Sequence, residues 1–232
     1  MQLTTISHWL KSNWQVPIFI IFALVFVLWP QLDLIITGLF WNEEAGFIYR
    51  HNPLVLAMYH GFWFVPRIII PVLLIALALS WYNQFAKHNR KYTVFLLLVL
   101  LIGPGLIVHA LKDNWDRGRP RHIETFGGAK EFSPAFVMSD QCERNCSFPS
   151  GHAAQGFYFM ALGWVFGRRW FYIGLLIGIA ASAGRVLQGG HFFSDVITSG
   201  FIVFFTCKVL AWKLLGDSRI PSSSKIINGS DK

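Results

Sequence analysis

Charge is scarce in this sequence. Only 14% of its 232 residues are Asp, Glu, Lys or Arg, while 54% are hydrophobic, which excludes an ordinary soluble domain. Acidic residues are outnumbered, twelve against twenty Lys and Arg. The resulting +8 charge does not argue for nucleic acid, because in a membrane chain the positions of Lys and Arg matter more than their sum. No small-residue cleavage pattern follows the first apolar run. Pro30 and Asp33 stand there instead, so that run is read as an uncleaved first span and not as a signal peptide. Tandem repeats and low-complexity segments are absent, and one domain over residues 1–216 is enough. Residues 217–232, which end in IPSSSKIINGSDK, are expected to form a flexible cytoplasmic tail.

Cysteine is rare too, with three in the chain. Cys142 and Cys146 are a candidate disulfide if their loop faces an oxidising compartment, and two reduced thiols in a tight turn are the other reading. Cys207 is read as a buried membrane residue.

What the chain does have is apolar length. Near-continuous stretches centred on 17–36, 65–82, 93–111, 153–167, 170–189 and 196–213 approach the roughly 20 residues that cross a bilayer. The expected fold is an all-α integral membrane protein, a bundle of six transmembrane helices. Residues 52–67 mix aromatics with His60 and Arg67, suiting a helix at the interface ahead of the second span. The IGPG stretch at 102–105 should weaken or kink the third.

Basic residues set the orientation. KHNRK at 87–91, GRR at 167–169 and the stretch from Lys213 to Lys225 fall on one side, which the positive-inside rule makes cytoplasmic along with both termini. The long segment 112–150, with six Lys or Arg matched by six Asp or Glu, then lies outside.

Three polar clusters share that outer side: KDNWDRGRP at 112–120, PSGH at 149–152 and GRVLQGGHFFSD at 184–195. Lys112, Arg119 and Arg185 supply cations, and a guanidinium fork matches phosphate oxygens. Ser150 and Gly151 precede an apolar helix, where a hydroxyl and free amides add donors. His191 and Asp195 are four residues apart, so the carboxylate can orient the ring and leave its far nitrogen free to attack phosphorus. His152 then serves as the acid for the leaving oxygen and the base for water. Two histidines and an aspartate could instead bind zinc, but the three cations would repel a metal, and no metal or other cofactor is expected. Arg67, Arg117 and Arg121 are spare cations, each either a substrate contact or a partner of nearby acidic residues.

Lys112 with Arg119-Pro120, then Pro149-Ser150-Gly151-His152, then Arg185, His191 and Asp195, together resemble the three-part signature of the type 2 phosphatidic acid phosphatase superfamily. The resemblance implies a six-helix core with an outward-facing site and metal-independent hydrolysis through a phosphohistidine at His191. Lys112, Arg119, Ser150, Gly151 and Arg185 would bind phosphate, His152 would be the acid and Asp195 would support the nucleophile. One departure is Gly184, where the third motif often carries serine.

The stretches LDLIITGLFWN, IGPGLIVHALKDNWDRGRPR, SDQCERNCSF and QGGHFFSDV further resemble the bacterial lipid A phosphatase branch, most of all its 4′-phosphatases. That implies a multi-pass enzyme of the bacterial inner membrane acting on lipid A or another phospholipid from the periplasmic side. Loss of a phosphate would weaken the binding of cationic antimicrobial peptides. An undecaprenyl diphosphate or phosphatidylglycerol phosphate phosphatase, a lipid A 1-phosphatase, a phosphotransferase and a non-catalytic lipid transporter stay open at this point, as does the oligomeric state.

Overall fold

A computed structural model describes residues 13–226. The chain is a largely helical, multi-pass membrane protein. Four helical runs are long and apolar enough to cross a bilayer, Pro53–Leu79, Gln84–His122, Arg168–Leu187 and Phe193–Leu215, and a bent pair at the start makes a fifth.

The bent pair corrects the expectation of a single first span over 17–36. α1 (Gln15–Leu28) and α2 (Gln31–Gly38) meet at 88°. Pro30 stands between them at φ −62°. It has no N–H to continue the first helix, while its fixed φ suits the start of the second. The bend turns Asp33, in the first turn of α2, wholly inward. A two-residue hairpin follows, β1 (Trp41–Asn42) pairing antiparallel with β2 (Gly46–Phe47).

α3 (Pro53–Leu79) starts sharply, because the Asn52 side chain accepts from the amides of Leu54 and Val55 at 3.0 and 3.3 Å. The interfacial segment and the second span, expected as separate helices, are one helix of 27 residues running through Pro66 and Pro71. Tyr59, Trp63 and Arg67, four residues apart, therefore lie along one stripe.

α4 (Gln84–Leu100) widens into a π-helical stretch at Leu101–Ile107 and resumes as α5 (Val108–Trp115). Pro104 is absorbed there without a break, and His109 Nδ1 donates to the Pro104 carbonyl at 3.1 Å. α5 stops at Asp116, which is left-handed at φ 48°.

Residues 117–150 contain only short turns, one of them crossed by the Cys142–Cys146 disulfide with Cα atoms 5.5 Å apart. α6 (Gly151–Phe157), a tight turn at Tyr158–Ala161 and α7 (Leu162–Phe166) then form a segmented rod. It is shorter than the length for a bilayer crossing and sits in the core, where Ala153, Phe157, Met160 and Trp164 are buried. α8 (Arg168–Leu187) packs closely on it, because Gly156 lets the Ala181 methyl approach; a Cβ at Gly156 would lie 2.6 Å from that carbon.

α9 (Phe193–Leu210) completes the bundle. Beyond it the chain returns to the core: the Trp164 indole donates to the Ser218 carbonyl at 3.0 Å and the Lys225 amide to the Val165 carbonyl at 2.9 Å. The described part of the expected tail is therefore anchored to the core at two points while Arg219 and residues 222–224 stay exposed, and its last six residues lie outside the described ones.

Candidate active site

The end of α5, the start of α6 and the turn from α8 to α9 meet at one end of the bundle. There they surround a cavity of about 720 Å³, whose wall includes Lys112, Arg119, Gly151, His152, Arg185 and Gln188. Gly151 faces open space, since a Cβ on it would meet nothing within 4 Å. Ser150 stands behind the wall, wholly buried, with its hydroxyl capping α6 at the Ala153 amide at 3.4 Å.

His191 is 1% exposed. Its Nδ1 lies 2.6 Å from the Ser147 carbonyl oxygen. A carbonyl only accepts, so this contact assigns the proton to Nδ1 and leaves Nε2 with a lone pair. Nε2 has no hydrogen-bond partner among the described residues. Burial, then the charges of Arg119, Lys112 and Arg185, hold the ring well below the ordinary histidine pKa. The outcome is a neutral imidazole with one open nitrogen among cations.

Asp195 departs from the expected arrangement. Its Oδ2 is 3.7 Å from His191 Nδ1, beyond hydrogen-bond range. The helix begins at Phe193, after His191, so Asp195 is in its first turn and accepts from the Phe192 amide at 2.8 Å. The same oxygen accepts from the Ser147 hydroxyl at 2.5 Å. Carboxylate and imidazole are thus joined through Ser147, which bonds the first by its side chain and the second by its carbonyl.

Arg117 also departs from expectation. Expected as a candidate substrate contact, it is wholly buried behind the cavity wall. Its guanidinium donates to Asp195 Oδ1 at 2.5 Å, to Asp33 Oδ2 at 2.9 Å and to the Ser133 carbonyl at 2.9 Å, with the Phe192 ring centroid 4.3 Å from Cζ. Two buried carboxylates need a cation, and among the described residues Arg117 is the one that reaches both. Ser194 completes the set, giving its amide and hydroxyl to Asp33 at 2.9 and 2.5 Å. Sequence reasoning missed Asp33, Ser147 and Ser194. The one signal for Asp33 was an acid three residues after Pro30 in an apolar run.

The phosphate-binding candidates are held by other means. Arg119 donates to the Asn145 carbonyl at 2.7 Å and side-chain oxygen at 2.9 Å, and to the Gly190 carbonyl at 3.4 Å. Arg185 bonds Gln188 and lies over the Tyr59 ring, with Cζ 4.7 Å from the centroid. The other face of that story is His152, whose ring stacks on Tyr59 at 4.5 Å. Tyr59 thus positions both an acid candidate and a cation, a role that its place among the aromatics of 52–67 did not reveal. Among the described residues His152 Nε2 is buried and without a partner, as expected of a group waiting for a ligand atom. Arg67 and Arg121 line the same cavity, Arg67 stacked 3.4 Å above the Trp63 ring.

Asp113 is the one carboxylate among the described residues of the cavity wall, against a majority of cations. The His152, His191 and Asp195 set that could have offered itself to zinc is not assembled as ligands, since Asp195 is committed to Arg117, Ser147 and Phe192. Such a pocket selects an anion with several acceptor oxygens.

Residues 92–218, which contain all three polar clusters, match the PAP2 superfamily. A lipid A 4′-phosphatase of Francisella tularensis subsp. novicida is 36% identical over 193 residues, covering 80% of this chain and 87% of the relative. A lipid A 4′-phosphatase of Rhizobium leguminosarum is 31% identical over 78% of this chain and 87% of its own, and one of Rhizobium etli 33% identical over 69% and 66%. No solved structure matches.

Proposed function

This chain belongs to the PAP2 superfamily and is a phosphatase, and on that premise we propose that it removes the 4′-phosphate of lipid A through a phosphohistidine at His191. The relatives share that substrate by name. The observation that carries the chemistry is the His191 Nδ1 bond to the Ser147 carbonyl, 2.6 Å. It keeps Nε2 as the nucleophilic nitrogen.

In the first step Nε2 of His191 forms a bond to phosphorus while the bond from phosphorus to the sugar oxygen breaks, and that oxygen takes the proton of His152. In the second, His152 takes a proton from water, whose oxygen displaces the imidazole and releases inorganic phosphate. Lys112, Arg119, Arg185 and the Gly151 amide hold the phosphoryl oxygens as charge shifts onto them. The wholly buried Ser150 acts through the backbone of α6. Asp195 acts on the nucleophile by way of Ser147. No step calls for a metal.

The site faces the periplasm, on six crossings that count the bent α1 and α2 pair and the short α6 and α7 rod. Supporting this orientation, Lys87, Arg90, Lys91, Arg168, Arg169 and Lys213 belong to the opposite end of the bundle, where the positive-inside rule expects the cytoplasm. Both chain ends share that side, in the inner membrane. Removing one phosphate lowers the negative charge of the envelope and so the affinity for cationic peptides.

The test is mass spectrometry of lipid A incubated with detergent-purified protein in EDTA, with His191→Ala as control and undecaprenyl diphosphate as competitor. Loss of the 4′-phosphate with wild type alone is expected. Loss at position 1 would move the cleaved bond, and intact lipid A beside hydrolysed undecaprenyl diphosphate would overturn the substrate.

A further inference from the structure

The cavity wall holds more cations than one phosphate requires. Lys112, Arg119 and Arg185 serve the reacting group, yet Arg50 and Arg121 line the same space. Neither is ion-paired to a carboxylate among the described residues. The Nε of Arg121 donates to His122 Nε2 at 3.2 Å, and no other side-chain hydrogen bond of Arg50 or Arg121 is formed among the described residues.

These two arginines come from distant parts of the chain and are tied to one glycine. The Arg50 amide donates to the Phe47 carbonyl at 3.0 Å, and the Phe47 ring occupies the space where a Gly189 side chain would be. The Arg121 amide donates to the Gly189 carbonyl itself at 3.1 Å. Gly189 has φ +61° and lies two residues before His191, so both arginine-bearing segments are docked on the nucleophile's own loop. Beneath them Phe47, Ile123, Phe126 and Phe192 form one buried apolar cluster, which makes a rigid platform of the hairpin, the 120–126 turns and the start of α9.

Arg50 is exposed and Arg121 half-buried, so water reaches both, but cations gathered on one rigid wall repel one another, and an anion with several oxygens relieves that repulsion. We infer that Arg50 and Arg121 form a second anion subsite, which holds a phosphate of the same lipid head group other than the one cleaved. The inference rests on the lipid A reading and sharpens it. The preferred substrate class is a glycolipid whose head group carries two separated phosphates, and a lipid with a single phosphate leaves the subsite empty.

The experiment compares kcat/KM on lipid A bearing both phosphates with that on lipid A bearing only the 4′-phosphate, for the full-length protein in detergent. Wild type should prefer the bisphosphorylated lipid. Arg50→Ala and Arg121→Ala should each lower that preference about tenfold, the scale of one charge-assisted contact, and Arg50→Lys should restore part of it. General damage to the fold lowers both rates and leaves their ratio, and an unchanged elution profile checks assembly independently. A wild type without preference, or variants that keep it, would overturn the subsite and leave the phosphatase reading standing. Release from neither lipid, with undecaprenyl diphosphate hydrolysed, would overturn the lipid A reading and the subsite with it.

Discussion

Arg117 donates to Asp195 at 2.5 Å across 78 positions of sequence, with both side chains wholly buried. This contact ties the loop after α5 to the first turn of α9, and Asp33 at 2.9 Å extends it to the bent first helix pair. The carboxylate beside the nucleophile is therefore set by three segments remote from one another in the chain. Arg117 and Asp33 are positioning residues, with no contact to the cavity.

Arg117→Leu should lower stability by roughly 3–5 kcal/mol, because it strands two buried carboxylates. Thermal melting in detergent reads this, and a variant as stable as wild type would refute the role. Arg117→Lys keeps the charge but cannot reach Asp33, Asp195 and the Ser133 carbonyl with one rigid fork, so it should melt between the two.

Ser147→Ala distinguishes a direct aspartate from one acting through serine. The carbonyl that sets the His191 tautomer belongs to the backbone and survives the change, whereas the hydroxyl bond to Asp195 is lost. A fall in kcat of about tenfold is expected, the scale of one hydrogen bond to a charged group, against complete loss for His191→Ala. Equal losses would mean that Ser147 does more than bridge the pair.

His152→Ala should slow release of a poor leaving group by about 10²–10⁴. An activated aryl phosphate needs no acid in the first step, so its phosphorylation of the enzyme should suffer less. The resulting phosphohistidine should then accumulate for want of a base, and mass spectrometry of rapidly quenched protein would detect it. A uniform loss for both esters, with no trapped intermediate, would argue against the acid and base assignment.

The depressed pKa of His191 fixes the direction of a pH effect. Its neutral form is the reactive one, and burial with Arg119, Lys112 and Arg185 opposes protonation. The nucleophile thus stays neutral as pH falls through 6.5, and its acid limb in kcat/KM lies well below that value. Lys112→Ala removes a neighbouring positive charge and should move that limb upward. A limb that stays in place would show that Lys112 has no part in setting the pKa, leaving burial with Arg119 and Arg185.

Gly190→Ala should damage binding with little cost to the fold. The new Cβ would lie 2.9 Å from Arg185 Cζ and nearer still to its terminal nitrogen, and a flexible side chain can move aside. Displaced from Tyr59, Arg185 would hold phosphate less well, so KM should rise about tenfold with the melting temperature nearly unchanged. A large melting shift would place the strain in the backbone instead.

Much of the site was legible because its chemistry is local. PSGH, Arg185 with His191 and Asp195, and Lys112 with Arg119 each sit within a few residues, and each motif brings its own turn or helix end. Membrane class was equally legible, since apolar length follows from composition. The helix boundaries were less so. Pro30 bends its run by 88°, whereas Pro66, Pro71 and Pro104 stay inside helical runs. Neighbouring helices decide whether a missing N–H breaks a ladder or is absorbed.

By itself, then, the sequence determined that this protein crosses a membrane and carries three cationic and histidine-bearing motifs suited to a phosphate. Those are properties of composition and short spacing. Only the tertiary structure decided that Arg117 serves the buried carboxylates, that Ser147 stands between Asp195 and His191, and that Tyr59 positions His152 and Arg185. Each depends on contacts between segments tens of residues apart. Burial settles them, because a charge out of water must find its partner wherever the packed helices bring one.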